Sequence, residues 1–150
     1  MFISVPVRAS MVDIPPNARW STNGITVAGG NGQGNGSHQL SCPLEHEVRR
    51  YKIGDTQGTV VAGGNGAGNR LDQLYEPRYV FVDRDYSVYE SDRSNHRVMK
   101  WEEGAKQGVV VAGGQGARKS LLQLDRPNGV VVDQLGTVYV ADFGNHRIMR

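Results

Sequence analysis

Residues 60–100 of this chain are written again fifty positions later, at 110–150, with 21 of 41 positions identical. Val-Ala-Gly-Gly occurs three times, at Val27–Gly30, Val61–Gly64 and Val111–Gly114. A second marker opens with histidine: His46-Glu-Val-Arg-Arg-Tyr51, His96-Arg-Val-Met-Lys-Trp101 and His146-Arg-Ile-Met-Arg150. The three histidines stand fifty residues apart. A fixed period of this size is the signature of a tandem array, in which no unit buries its apolar face alone and each leans on its neighbours.

Within one period the apolar residues alternate as in half-buried strands, and no helical period is present. Tyr79–Asp83, Ser87–Ser91, His96–Trp101 and Gly108–Ala112 read as four strands, separated by polar turns at Arg84–Tyr86, Asp92–Asn95 and Glu102–Gln107. A glycine-rich link then leads to Pro77 or Pro127, just before the next first strand. The 20 glycines fall largely in these links, where turns need positive φ. They do not recur at every third position, which excludes collagen. Four-stranded units of roughly 40–50 residues in tandem are the pattern of β-propeller blades.

Pro127-Asn-Gly-Val-Val-Val-Asp133, Gly136-Thr-Val-Tyr-Val-Ala-Asp142 and Asn145-His-Arg-Ile148 together resemble the NHL repeat. The preceding copy departs from it in two places: Tyr79 replaces a glycine, and Glu90 stands where an apolar strand residue is expected. The resemblance covers about Gly24 to Arg150 and is nearest to invertebrate NHL-repeat proteins with Val-Ala-Gly-Gly-Asn-Gly links. It implies an all-β propeller, commonly six-bladed, that serves as a binding platform. It also implies an Asp…Asn-x-Arg network that fixes a turn, to which Asp92, Asp142, Arg97 and Arg147 would belong.

The repeat count predicts two to three blades and an incomplete ring. Residues 1–23 read as an irregular lead-in, and residues 24–150 as the propeller portion. The first and second Val-Ala-Gly-Gly copies are 34 residues apart rather than fifty. The missing sixteen lie between Pro43 and His46, where two inner strands would stand. Residues 24–62 are therefore expected to be a partial blade, 77–112 a complete blade, and 127–150 a blade without its fourth strand. Ile25–Ala28 reads as a lone fourth strand. Two absent inner strands remove about four buried side chains, roughly 6–12 kcal/mol, comparable with the whole stability of a typical domain. We expect a fragment, a splice variant or an incomplete gene model rather than a self-sufficient propeller.

Composition excludes several classes. The formal charge of +2 is too small to argue for nucleic acid or an anionic membrane. No apolar run approaches the ~18 residues of a membrane helix. The single cysteine, Cys42, forms no disulfide framework. Asn35-Gly-Ser37 is a glycosylation sequon.

Three chemical readings compete. His46, His96 and His146 hold the same repeat position, so a shared hydrogen-bonding role explains all three better than a metal site does. His38 is unique but has no clustered partner. Asp92 and Asp142 precede His96 and His146 by four residues, which suggests an acid–base pair, yet no nucleophile elbow accompanies them. Gly29–Gly34 lacks the Gly-Lys-Ser/Thr ending of a phosphate loop and the aspartate of a calcium nonapeptide. No catalytic, metal or cofactor residue is therefore assigned. With strands alternating in direction, the loops after strands two and four share one face. That face would carry Arg70, Arg93, Arg118, Lys119 and Arg126. Asp72, Glu76, Asp92 and Asp125 lie among these cations, and no aromatic residues are interleaved to stack bases.

The sequence thus points to a non-catalytic protein-interaction module whose partner is a protein contacting these five cations. An enzyme of the peptidyl-hydroxyglycine lyase or lactonase type is the first alternative. Its only inner-strand ligands would be Asp83 and Asp133. Single-stranded RNA binding through the basic face is the second alternative.

Overall fold

The computed structural model describes residues 46–52, 55 and 58–150. The lead-in, the lone strand Ile25–Ala28, the first glycine link, His38, Cys42 and the Asn35 sequon lie outside the described residues. Among those described, nine strands form three antiparallel sheets, and two single 3-10 turns are the only helical elements. The first sheet pairs β1 (Glu47–Arg50) with β2 (Thr59–Gly63). The second is a four-stranded meander of β3 (Pro77–Val82), β4 (Val88–Asp92), β5 (Arg97–Trp101) and β6 (Val109–Gly113). The third has β7 (Gly129–Val132), β8 (Val138–Asp142) and β9 (Arg147–Met149). The four strands expected in one repeat are all present. The first begins two residues early, at Pro77, because proline is tolerated where a strand starts.

Repeated residues shape repeated turns. Between β3 and β4, Asp83 Oδ1 accepts the backbone N–H groups of Asp85 and Ser87 at 3.0 and 2.9 Å. Between β7 and β8, Asp133 Oδ1 accepts those of Leu135 and Thr137, both at 2.9 Å. These are Asx turns, in which the side chain replaces a backbone acceptor. The Thr137 N–H, followed by the other turn donors, holds the Asp133 carboxyl below the usual range.

The Val-Ala-Gly-Gly signature closes each sheet onto its third strand. Gly114 donates its N–H to the His96 carbonyl at 2.9 Å, and Gly64 donates to the His46 carbonyl at 3.3 Å. Gly113, at φ +69°, has no room for a side chain: a Cβ would strike the His96 carbonyl and sit 3.0 Å from Leu124 Cδ1. Gly63 stands in the same relation to His46 and Leu74. Each link therefore carries a leucine that packs back against the sheet before it.

The core lies between sheets. Val48, Ala62, Leu74, Val80, Val88, Met99 and Trp101 join the first sheet to the second. Tyr89, Val98, Leu124, Val130 and Val140 join the second to the third. The first sheet shows only two strands among the described residues, and beside it a groove of about 530 Å³ opens along Val80, Val82 and Val88.

Glu90 is the misfit. In β4 it holds the place that Val140 holds in β8, it is fully buried, and neither carboxylate oxygen has a hydrogen-bond partner. Burial pushes its carboxyl well above the usual range and the nearby Asp92 charge pushes it further; the Arg78 backbone and Arg97 oppose this without reversing it. The departure from the repeat seen in the sequence is thus a buried acid between Val80 and Met99, whose neutral form burial favours.

Candidate functional site: the linker face

The aspartate that ends each second strand organises this face. Asp92 Oδ1 accepts the N–H of Tyr75 at 2.7 Å, and its carboxylate accepts the Asn95 amide at 2.8 and 3.0 Å. Arg97 Nε donates to Asp92 Oδ2 at 2.6 Å, with both side chains almost wholly buried. The rest of the Arg97 guanidinium donates to the carbonyls of Asn69, Arg70 and Gln73 at 2.8–3.0 Å. Asn95 also donates to the Gly68 carbonyl at 2.7 Å. The incoming link is thereby fixed along five residues.

The third sheet repeats every contact. Asp142 accepts from the Asp125 N–H at 2.7 Å, from Asn145 at 2.9 Å and from Arg147 Nε at 2.7 Å. Arg147 donates in turn to the carbonyls of Lys119, Ser120 and Gln123, and Asn145 to that of Arg118. The Asp…Asn-x-Arg network implied by the resemblance is present in both sheets.

The two aspartates differ electrostatically. At Asp92 burial dominates and raises the carboxyl, despite the donors around it. At Asp142 burial again pushes upward, but the Asp125 N–H, Asn145 and Arg147 together outweigh it, and the carboxyl is held below its usual range.

Each histidine sits in the left-handed region, with φ of 52–54°, just before the third strand rather than inside it. His46 Nδ1 accepts the N–H of Glu76 at 3.2 Å, and His96 Nδ1 accepts that of Arg126 at 3.1 Å. Both acceptors serve the residue thirty positions on, so the histidine joins its own sheet to the next one. Two of the three recurrent histidines, His46 and His96, thus share one hydrogen-bonding role. Asp92 and His96 do not pair, and Asp83 and Asp133 have their carboxylates engaged by turn N–H groups.

The five expected cations are unequal. Arg70 pairs with Asp72 at 3.0 Å, Arg93 with Glu76 at 3.3 Å and Arg126 with Asp125 at 3.2 Å. The Ser94 hydroxyl, assisted by Arg93 and Arg78, holds the Glu76 carboxyl below the usual range. Arg118 and Lys119 are exposed and make no side-chain ion pair among the described residues. Beside them, Leu121 and Leu122 are 81% and 72% exposed. Sequence reasoning missed this leucine pair, although Leu122 occupies the repeat position where Asp72 pairs with Arg70.

Among the described residues no cluster of three or more metal-ligating side chains occurs, and no helix is long and apolar enough to cross a membrane.

Residues 124–149 match the family model of the NHL repeat. That repeat spans the link leucine and the whole third sheet, and the described residues as a whole form three open antiparallel sheets. No curated protein matches the chain. A crystal structure titled as an auxiliary nutrient binding protein from Bacteroides thetaiotaomicron is 20% identical with a TM-score of 0.49, covering 61% of this chain and 28% of that one.

Proposed function

We propose that this protein is a non-catalytic interaction module whose linker face contacts an acidic protein partner through Arg118 and Lys119, with Arg70, Arg93 and Arg126 around them. The observation that supports this is the division of polar residues. Among the described residues, Asp92, Asp142, Arg97, Arg147, His46 and His96 are each engaged in holding links and sheets together. Arg118 and Lys119 give only their backbone carbonyls to that framework. Their side chains face solvent beside two exposed leucines. A mixed cationic and apolar patch suits a protein surface better than a nucleic-acid backbone, because three of the five cations are already paired.

Affinity capture with the wild-type chain and with an Arg118→Glu/Lys119→Glu double variant tests this. A specific protein retained by the first and lost from the second supports the reading. Stoichiometric metal in the purified protein, or a band shift with short single-stranded RNA that weakens steeply with salt, would replace it with one of the two alternatives.

A further inference from the structure

The two described links differ in charge at matched positions. Residues 64–76 carry one cation, Arg70, and two acids, Asp72 and Glu76. Residues 114–126 carry three cations, Arg118, Lys119 and Arg126, and one acid, Asp125. Where the first link has the Arg70–Asp72 ion pair at 3.0 Å, the second has Ser120 and Leu122. The acid that neutralises the first link is therefore missing from the second. In its place a hydroxyl directly follows Arg118 and Lys119.

That hydroxyl is accessible for a reason internal to the repeat. The framework holds this stretch by its carbonyls, that of Arg118 on Asn145 and those of Lys119 and Ser120 on Arg147. The side chains of all three residues are left exposed. Arg70 holds the position of Ser120 in the first link, and its side chain is 70% exposed. The four-stranded second sheet stands beside that link, with the Leu71 carbonyl accepting the Gly108 N–H at 2.8 Å. Exposure at this position thus persists beside a complete sheet. The Ser120 hydroxyl donates to Gln123 Oε1 at 2.8 Å, a solvent-exposed bond that water can replace.

We propose that Ser120 is a phosphorylation site, and that its phosphate switches the Arg118–Lys119 patch off. The γ-phosphoryl group of ATP passes to Ser120 Oγ. The Oγ–P bond forms, the bond from that phosphorus to the oxygen of departing ADP breaks, and the hydroxyl proton goes to the base of the modifying kinase. Such a kinase reads the arginine two positions before the serine and the leucine after it. The product carries about −1.5 to −2 charges at neutral pH, which cancels the net +2 of residues 114–126. The switching half rests on the acidic-partner reading of this face; the site itself does not.

The full chain, incubated with ATP and a purified protein kinase of that specificity, tests both halves. Peptide mass mapping is expected to place one phosphoryl group on Ser120 of the folded protein. None is expected there in Ser120→Ala, or in Arg118→Glu/Lys119→Glu, which lacks the basic determinant. Ser120→Ala keeps every carbonyl clamp, so its melting temperature stays near that of wild type. Poly-L-glutamate then serves as the acidic probe. Unmodified wild type and Ser120→Ala bind it alike at low salt, and the phosphorylated chain binds about tenfold more weakly through like-charge repulsion. A serine modified only after the chain is unfolded overturns the site, as does uptake elsewhere with Ser120 untouched. Phosphate on Ser120 with unchanged binding overturns the switch. An unmodified chain that does not bind polyglutamate overturns the acidic-partner reading and the switch with it, while the mass map still decides the site.

Discussion

Replacing Glu90 by valine, the residue that Val140 supplies in the third sheet, removes a fully buried acid whose two oxygens have no partner. An unsatisfied buried polar group costs ~1–3 kcal/mol, and burying a valine side chain contributes ~1.5–3 kcal/mol. Burial pushes the carboxyl toward its neutral form, which lessens its desolvation cost, so we expect a net gain of about 2–4 kcal/mol. Urea denaturation of wild type and Glu90→Val, compared at constant m, measures it. The pH dependence carries a second signature. The folded-state carboxyl titrates well above its ordinary value, so the native state keeps a proton that the unfolded chain loses near pH ~4.3. The contribution of Glu90 is therefore fully present below pH ~4.3 and is lost as pH rises toward the folded-state value, by at most ~1.4 kcal/mol per pH unit. Glu90→Gln removes this slope. A valine variant less stable than wild type, or a wild type that gains stability relative to Glu90→Gln between pH 5 and 8 (about one unit above the unfolded value and beyond), refutes the reasoning.

Three further outcomes follow from the same geometry. Asp92→Ala leaves the Arg97 guanidinium buried without its carboxylate and is expected to cost ~3–5 kcal/mol; Asp142→Ala costs less, because Arg147 is partly exposed, and parallel denaturant melts give the difference. Gly113→Ala meets the His96 carbonyl and Leu124 in a left-handed conformation, whereas Gly116→Ala, at φ +81° with open space around it, bears only the backbone cost of ~1–2 kcal/mol; thermal melts should rank Gly113→Ala clearly worse. His96→Gly relieves the left-handed backbone that His96→Ala retains, so both lose the Arg126 contact but the alanine variant is less stable by ~1 kcal/mol.

The strands were legible because one side of each is apolar and the period-two pattern is repeated fifty residues later; a single copy such as Glu47–Arg50 is too short to be read alone. The Asp…Asn-x-Arg network was legible through the resemblance, but its acceptors were not. Arg97 and Arg147 read carbonyls, and a carbonyl leaves no trace in the identity of Asn69 or Lys119. The histidines were recognised as recurrent and structural, while their left-handed backbone and their tie to a residue thirty positions on depend on tertiary placement. Glu90 stands out as a departure from the repeat, yet only its place between the cross-strand neighbours Val80 and Met99 shows that it is sealed from water. The sequence shows acids among the cations of the links, and the contrast between the paired Arg70 and the unpaired Arg118 and Lys119 turns on several exchanges together: Gly68, Asn69, Arg70 and Asp72 give way to Arg118, Lys119, Ser120 and Leu122.

Because the arginine forks grip main-chain oxygens, the side chains at the gripped positions of the links take no part in those clamps, and the buried link leucines hold the sheets separately. Asn69, Arg70 and Gln73 in one link become Lys119, Ser120 and Gln123 in the next without moving a single clamp. A surface of this design can trade its charge and its greasiness residue by residue while the scaffold beneath stays put, so two copies of one module in a single polypeptide are free to present different faces to different visitors.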